Sequence, residues 1–135
     1  MTFVLDCSTA MAWCFQNEGS DYADRILDRL NHSSAVAPAI WALEVTNVLL
    51  VAQRKKRINR AGSERFLSRL RTLPIRMDEE TSLRAWTDIL PLAARLSLSS
   101  YDAAYVELAL RFDIPLATFD HRLRECARKA GVEVL

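Results

Sequence analysis

Hydrophobic positions along this chain fall into two patterns: short continuous runs, and longer stretches with helical spacing. Phe3-Val4-Leu5 is apolar and β-prone, and predicts a buried strand over residues 2–5. Asp6, Ser8 and Thr9 offer caps for a helix near 9–16, which Asn17-Glu18-Gly19-Ser20 breaks. Ala23, Ile26, Leu27 and Leu30 then recur at helical spacing. Ala35-Val36-Ala37 predicts a second strand, stopped by Pro38. The long helix that follows, about 40–57, carries Leu43, Val48, Leu49 and Ala52 in its apolar stripe. Residues 61–71 predict a helix with Phe66, Leu67 and Leu70 inward. Residues 73–77 predict a short edge strand entered through Pro74. A helical stretch over 79–96 is interrupted near Pro91, and Ser99 or Ser100 caps a helix over 101–112. Pro115 to Thr118 predicts a strand, Asp120 caps a helix near 121–130 that Gly131 ends, and Val132-Glu133-Val134 predicts a last strand.

Strands separated by helices imply an α/β fold with a parallel sheet covered on both faces. No internal repeat or linker divides residues 1–135, which suit one domain and are too few for an eight-fold barrel. A formal net charge of +1 means that any nucleic-acid contact must come from a local patch. Cys7, Cys14 and Cys126 are odd in number and form no CxxC pair. They argue against a disulfide framework or a zinc knuckle and fit a reducing cytoplasm. The first residues lack the features of a signal peptide, and no apolar run approaches a membrane span.

The candidate chemistry is acidic. Asp6 and Asp120 each end a strand, Asp102 sits in the first turn of a helix, and Glu44 lies among Ile40, Trp41, Leu43 and Val45. Each has a bland reading: Asp6 and Asp120 as helix caps, Asp102 as a favourable dipole contact, Glu44 as a solvated helix residue. Together they point elsewhere. Ligands of an open α/β sheet bind outside the carboxyl ends of its strands, and carboxylates held close repel unless something neutralises them. Acids without histidine or cysteine partners suit a hard cation such as Mg²⁺, with Mn²⁺ as a substitute, and such an ion can activate water and orient a phosphate. Ser8 and Thr118 are placed to support the carboxylates, and Asn47 lies one helical turn after Glu44.

Four motifs in this order, Val4-Leu5-Asp6-Cys7-Ser8, Glu44-Val45-Thr46-Asn47, Tyr101-Asp102-Ala103-Ala104-Tyr105 and Leu116-Ala117-Thr118-Phe119-Asp120, resemble the PIN-domain family across essentially the whole chain, and within it the VapC-type toxins of toxin–antitoxin pairs. The resemblance implies a three-layer α/β/α sandwich with strand order 3-2-1-4-5, and Mg²⁺- or Mn²⁺-dependent endoribonuclease activity. It implies Asp6, Glu44, Asp102 and Asp120 as the catalytic and metal-holding quartet, with Ser8 and Thr118 in support. It further implies a cognate antitoxin as inhibitor and a homodimer.

Arg54, Lys55, Lys56 and Arg57, with Arg60 nearby, read either as a phosphate-binding rim for RNA or as a solvated helix end favoured by the dipole. Arg122, Arg124 and Arg128 read as surface charge ahead of an RNA contact, and His121, beside Asp120, as a surface residue ahead of a catalytic one. Met11, Trp13 and Phe15 make the first helix apolar enough for core packing or for receiving an antitoxin segment, and Trp41 and Trp86 read as core or interface residues. The alternative to an enzyme is a non-catalytic PIN-like module that binds nucleic acid or protein; four retained acids argue against it. A dehalogenase-type phosphatase would need a second acid where Ser8 stands, and the lysine of a receiver domain is missing.

Overall fold

A computed structural model describes residues 1–15 and 21–135. The helix break expected at residues 17–20 lies outside the described residues. The elements are β1 (Thr2–Leu5), α1 (Cys7–Cys14), α2 (Asp21–Arg29), β2 (Ser34–Ala37), α3 (Trp41–Arg54), α4 (Arg60–Leu70), β3 (Ile75–Met77), α5 (Thr81–Arg84), α6 (Leu90–Leu96), α7 (Ser100–Phe112), β4 (Leu116–Ala117) and α8 (His121–Lys129).

The four strands form one parallel sheet in the order β3-β2-β1-β4, an α/β fold of the expected class. Val4, Leu5, Val36, Leu116 and Ala117 are fully buried, as continuous apolar runs in a covered parallel sheet should be. The fifth strand shrinks to a single bridge between Leu116 and Val134. Leu116 N–H donates to Glu133 O at 2.9 Å and Leu135 N–H to Leu116 O at 3.0 Å. The ladder stops there because Thr118 O, the next outward acceptor, is taken by the Arg124 guanidinium at 3.0 Å.

α1 starts two residues earlier than its first expected position because Asp6 itself is the cap, accepting from Thr9 N–H. The Trp13 indole N–H donates to Ala23 O at 2.8 Å and ties α1 to α2. Met11 and Phe15 are buried, so the apolar character of α1 serves the core. In α3 the buried stripe is Trp41, Val45, Leu49 and Ala52, whereas Leu43 is 73% exposed. Pro91 does not break a helix. It sits in the first turn of α6, after a π-helical turn over Ala85–Ile89 in which Leu90 N–H reaches back to Ala85 O. Gly131 adopts φ +91° after α8, a conformation that favours glycine.

α7 is the most deeply embedded helix, buried continuously from Ala103 to Ala109, and packs on β1 and β4. Its far end is clamped. Arg111 donates to both oxygens of Asp78 at 2.9 Å each and to Glu107 at 3.0 and 2.9 Å. Thr81 Oγ1 donates to Asp78 at 3.0 Å and accepts from Ala39 N–H at 3.1 Å. One buried network thus joins the end of β3, the starts of α3 and α5, and α7. No helix among the described residues is long and apolar enough to cross a membrane.

Candidate active site

The strand order dictates where a crevice opens. From β1 the chain builds outward through β2 to β3, then returns to place β4 on the other side of β1. The direction reverses between β1 and β4, and a crevice outside the carboxyl ends of strands forms at such a reversal. Asp6 follows β1 directly, and Asp120 follows β4 after Thr118 and Phe119.

Local rules put all four candidate acids at helix starts. Asp6 caps α1. Asp120 caps α8, accepting from Leu123 N–H at 2.9 Å. Glu44 and Asp102 lie in the first turns of α3 and α7, and Ser99 caps α7 by accepting from Asp102 N–H at 3.1 Å. The bland readings of Asp6, Asp102 and Asp120 therefore hold individually, that of Glu44 as a solvated residue does not, and the topology gathers the four helix ends at one edge. Each positive helix end favours a negative charge.

The acids are held differently. Asp6 is 4% exposed and held by three donors: Ser8 Oγ lies 2.9 Å from both its oxygens, Thr9 N–H donates at 3.1 Å and Thr118 Oγ1 at 2.5 Å. Ser8 and Thr118 also tie this acid to the β4 loop. Phe119 N–H donates to Ser8 Oγ at 3.1 Å and Asp120 N–H to Thr118 Oγ1 at 3.0 Å. Glu44 is half-buried and accepts from the Tyr105 hydroxyl. Asp102, also half-buried, has no donor on its carboxylate among the described residues, and Asp120 is exposed. Asn47 is exposed on α3.

Electrostatics link the members. Burial raises Asp6 above its ordinary value of 3.8, against the pull of hydrogen bonds from Thr118, Thr9 and Ser8. Burial raises Glu44 above 4.5; the Tyr105 hydroxyl opposes this, and the charges of Asp102 and Asp6 add to it. Asp102 is raised by burial and by Asp120, with Arg122 opposing. Burial, Glu44 and Asp6 push the Cys7 thiol to about 12, so the cysteine beside the site is an inert buried thiol. No Lys or Arg makes an ion pair with any of the four acids among the described residues.

The donor set suits a hard divalent cation: all oxygen, mutually repelling, and with no ion pair to a protein cation among the described residues, Arg122 acting on Asp102 only through its charge. As they stand, no three His, Cys, Asp or Glu side chains among the described residues are grouped as metal ligands.

A raised carboxylate pKa carries a sign for stability. The folded state of the metal-free protein disfavours the charged forms of Asp6, Glu44 and Asp102, so stability is expected to fall as pH climbs above about 4. Asp78 acts oppositely. Burial pushes it up, but hydrogen bonds from Arg111 and Thr81 outweigh that and hold it below 3.8, so its contribution is lost only below about pH 4. Urea midpoints between pH 4 and 7 should show the decline, and Glu44→Gln should flatten it. A parent slope unchanged in that variant would contradict the assignment.

The basic run lies elsewhere. Arg54, Lys55, Lys56 and Arg57 are exposed at the far end of α3, and ten residues of helix put Arg54 about 15 Å from Glu44 along the axis. Arg57 lies over the Phe15 ring, 4.5 Å from its centroid. His121 is exposed and pairs with Glu125 at 3.2 Å. Two residues near the acids go beyond the sequence reading. Arg122 acts on Asp102, and Tyr105, spaced i+3 from Asp102 on the same helix face, reaches Glu44.

The PIN domain family model matches residues 3–129. No curated protein matches the chain in sequence. Among solved structures, PAE2754 from Pyrobaculum aerophilum is similar at 20% identity and a TM-score of 0.70, over 99% of this chain and 92% of that one. VapBC2 from Rickettsia felis, solved bound to a DNA fragment from its promoter, is similar at 15% identity and a TM-score of 0.67, over 100% and 98%. FitAcB from Neisseria gonorrhoeae is similar at 16% identity and a TM-score of 0.60, over 100% and 96%. At these identities the structures share the fold, and the sequence match over nearly the full length adds the kinship: the chain belongs to the PIN domain family.

Proposed function

We propose that the protein is a metal-dependent endoribonuclease, the toxin of a type II toxin–antitoxin pair, that hydrolyses RNA phosphodiester bonds at the carboxyl edge of its sheet. One observation supports the chemistry: four acids stand at four helix starts along the carboxyl edge of the sheet and act on one another electrostatically, and no basic side chain among the described residues forms an ion pair with them. Membership of the PIN family and the likeness in fold to VapBC2 and FitAcB support the nuclease and toxin readings.

Asp6, Glu44, Asp102 and Asp120 would hold Mg²⁺, or Mn²⁺ in its place. When bound, such an ion supplies positive charge for the phosphate and lowers the pKa of a coordinated water. The chain's own part is positional. Ser8 and Thr118 fix Asp6, and Asp120 stays exposed toward incoming substrate. Glu44 either joins the ligand set or orients the attacking water. Hydrolysis forms a bond from the water oxygen to phosphorus and breaks one ester P–O bond; a carboxylate or solvent takes a proton from the water, and the departing ribose oxygen takes one from solvent. Arg54, Lys55, Lys56 and Arg57 would meet an RNA strand only where it extends about 15 Å or more beyond Glu44.

Purified protein incubated with total RNA should cleave it with Mn²⁺ or Mg²⁺ and stop with EDTA. Folded protein, free of antitoxin, that cleaves no RNA in either metal would favour the non-catalytic binding module. The antitoxin and a cytoplasmic location follow from the toxin reading. The proposed homodimer has a candidate surface in Trp86, Leu90 and Tyr101, which are 86%, 61% and 61% exposed around a cleft floored by Ile40, Ala85 and Ile89. Trp86→Arg should convert a dimer to monomer in sedimentation; a dimer unchanged by it would move the interface elsewhere.

A further inference from the structure

We propose that Tyr105 is a positioning residue of the acid site: its hydroxyl fixes one oxygen of Glu44 and leaves the other open to a cation or a water. The inference rests on the metal-dependent reading above and adds a member to its site.

Tyr105 is a core residue with a polar tip. It is 1% exposed, so its hydroxyl needs an internal partner, and that partner is Glu44 Oε1. The pairing spans 61 residues of chain and joins α3 to α7 at the edge where the acids collect. On α7, Asp102 and Tyr105 stand three residues apart and project from one face, so a single helix presents an acid and the clamp for a second acid.

The chemistry of the donor matters. A lysine or arginine at this place would neutralise Glu44 and compete with a divalent cation. A phenol donates a hydrogen bond without bringing charge. A phenol keeps its proton across the neutral range, so Tyr105 acts there as a donor. Asp6 is treated in the same way: Ser8 and Thr118 hold it with hydroxyls, and Thr9 with its backbone N–H. Asp6 and Glu44, the two acids with side-chain donors among the described residues, are thus oriented by neutral groups, which keep their charge available. A glutamate free to rotate would have to be ordered when the ion binds, and Tyr105 orders it beforehand.

The test uses Mn²⁺ alone as the probe, titrated calorimetrically into the full chain. Tyr105→Phe retains the buried ring and removes only the hydroxyl. It is expected to weaken Mn²⁺ binding about tenfold, the lower end for residues that orient a metal ligand. In a Glu44→Gln background the same change should alter affinity by less than about twofold, because the two residues act as one unit. Equal losses in both backgrounds, or none in either, would overturn the positioning role and leave the metal site standing. A parent that binds no Mn²⁺ would overturn the metal reading instead. The pairing is then judged by the ¹³C resonance of the Glu44 carboxyl, which Tyr105→Phe shifts if the hydroxyl holds it and leaves unmoved if it does not.

Discussion

Asp102→Asn is expected to lower RNA cleavage by about 10³-fold or more, since a cation-holding acid supplies several kcal/mol at the transition state and each 1.4 kcal/mol is tenfold. The protein should stay folded. Asp102 carries no donor on its carboxylate among the described residues, and the cap of α7 runs from its backbone N–H to Ser99, which an amide side chain preserves. Burial and Asp120 disfavour its charge, so the neutral amide should leave the melting temperature unchanged or raise it. Initial cleavage rates and thermal melts of parent and variant decide this. A folded variant cleaving within tenfold of the parent would remove Asp102 from the site. Asp6→Asn is a less informative change. Its two oxygens take donors from Ser8, Thr9 and Thr118, and an amide would present N–H groups to some of them. Lost activity there would mix chemistry with a damaged cap.

Arg111→Ala is expected to destabilise the fold by about 3–5 kcal/mol, the range for removing one partner of a buried ion pair. At about 3 °C per kcal/mol for a chain of this size, the melting temperature should drop by roughly 10–15 °C. The Arg111 side chain is only 10% exposed, and its loss would strand Asp78 and Glu107, whose side chains are 4% and 7% exposed. Arg111→Lys should be intermediate, because an ammonium cannot bind Asp78 through two parallel bonds. A drop below about 3 °C for Arg111→Ala would show that the cluster holds little of the stability.

The order of strands and helices, the parallel sheet and the placement of the acids were legible from local signals: apolar runs for strands, helical spacing, and an acid at each strand end or helix start. What escaped depends on tertiary packing. Leu43 fits a helical stripe, but the sheet meets the face of Trp41, Val45 and Leu49, and leaves Leu43 in solvent. Pro91 is a breaker by its missing N–H, yet the π-helical turn before it absorbs the defect. Val132 to Val134 has strand character, but β4 offers it little ladder to join. The network of Asp78, Glu107 and Arg111 joins residues 33 positions apart in sequence, and no local pattern signals it. Among the acids, position was readable and support was not: Tyr105 looks like any core tyrosine until α3 is docked against α7.

The bond from Thr118 to Asp6 closes across 112 positions, and this sets when the crevice can exist. A ribosome adds about 5–20 residues per second, so some 6 to 23 seconds pass between the synthesis of Asp6 and that of Asp120. Throughout that interval β1 lacks the neighbour that completes its carboxyl edge, and Asp6 lacks one of its four hydrogen-bond contacts. Under the proposed activity, the growing chain cannot cut the RNA around it. The crevice is complete only once Thr118 has been made and β4 has paired with β1.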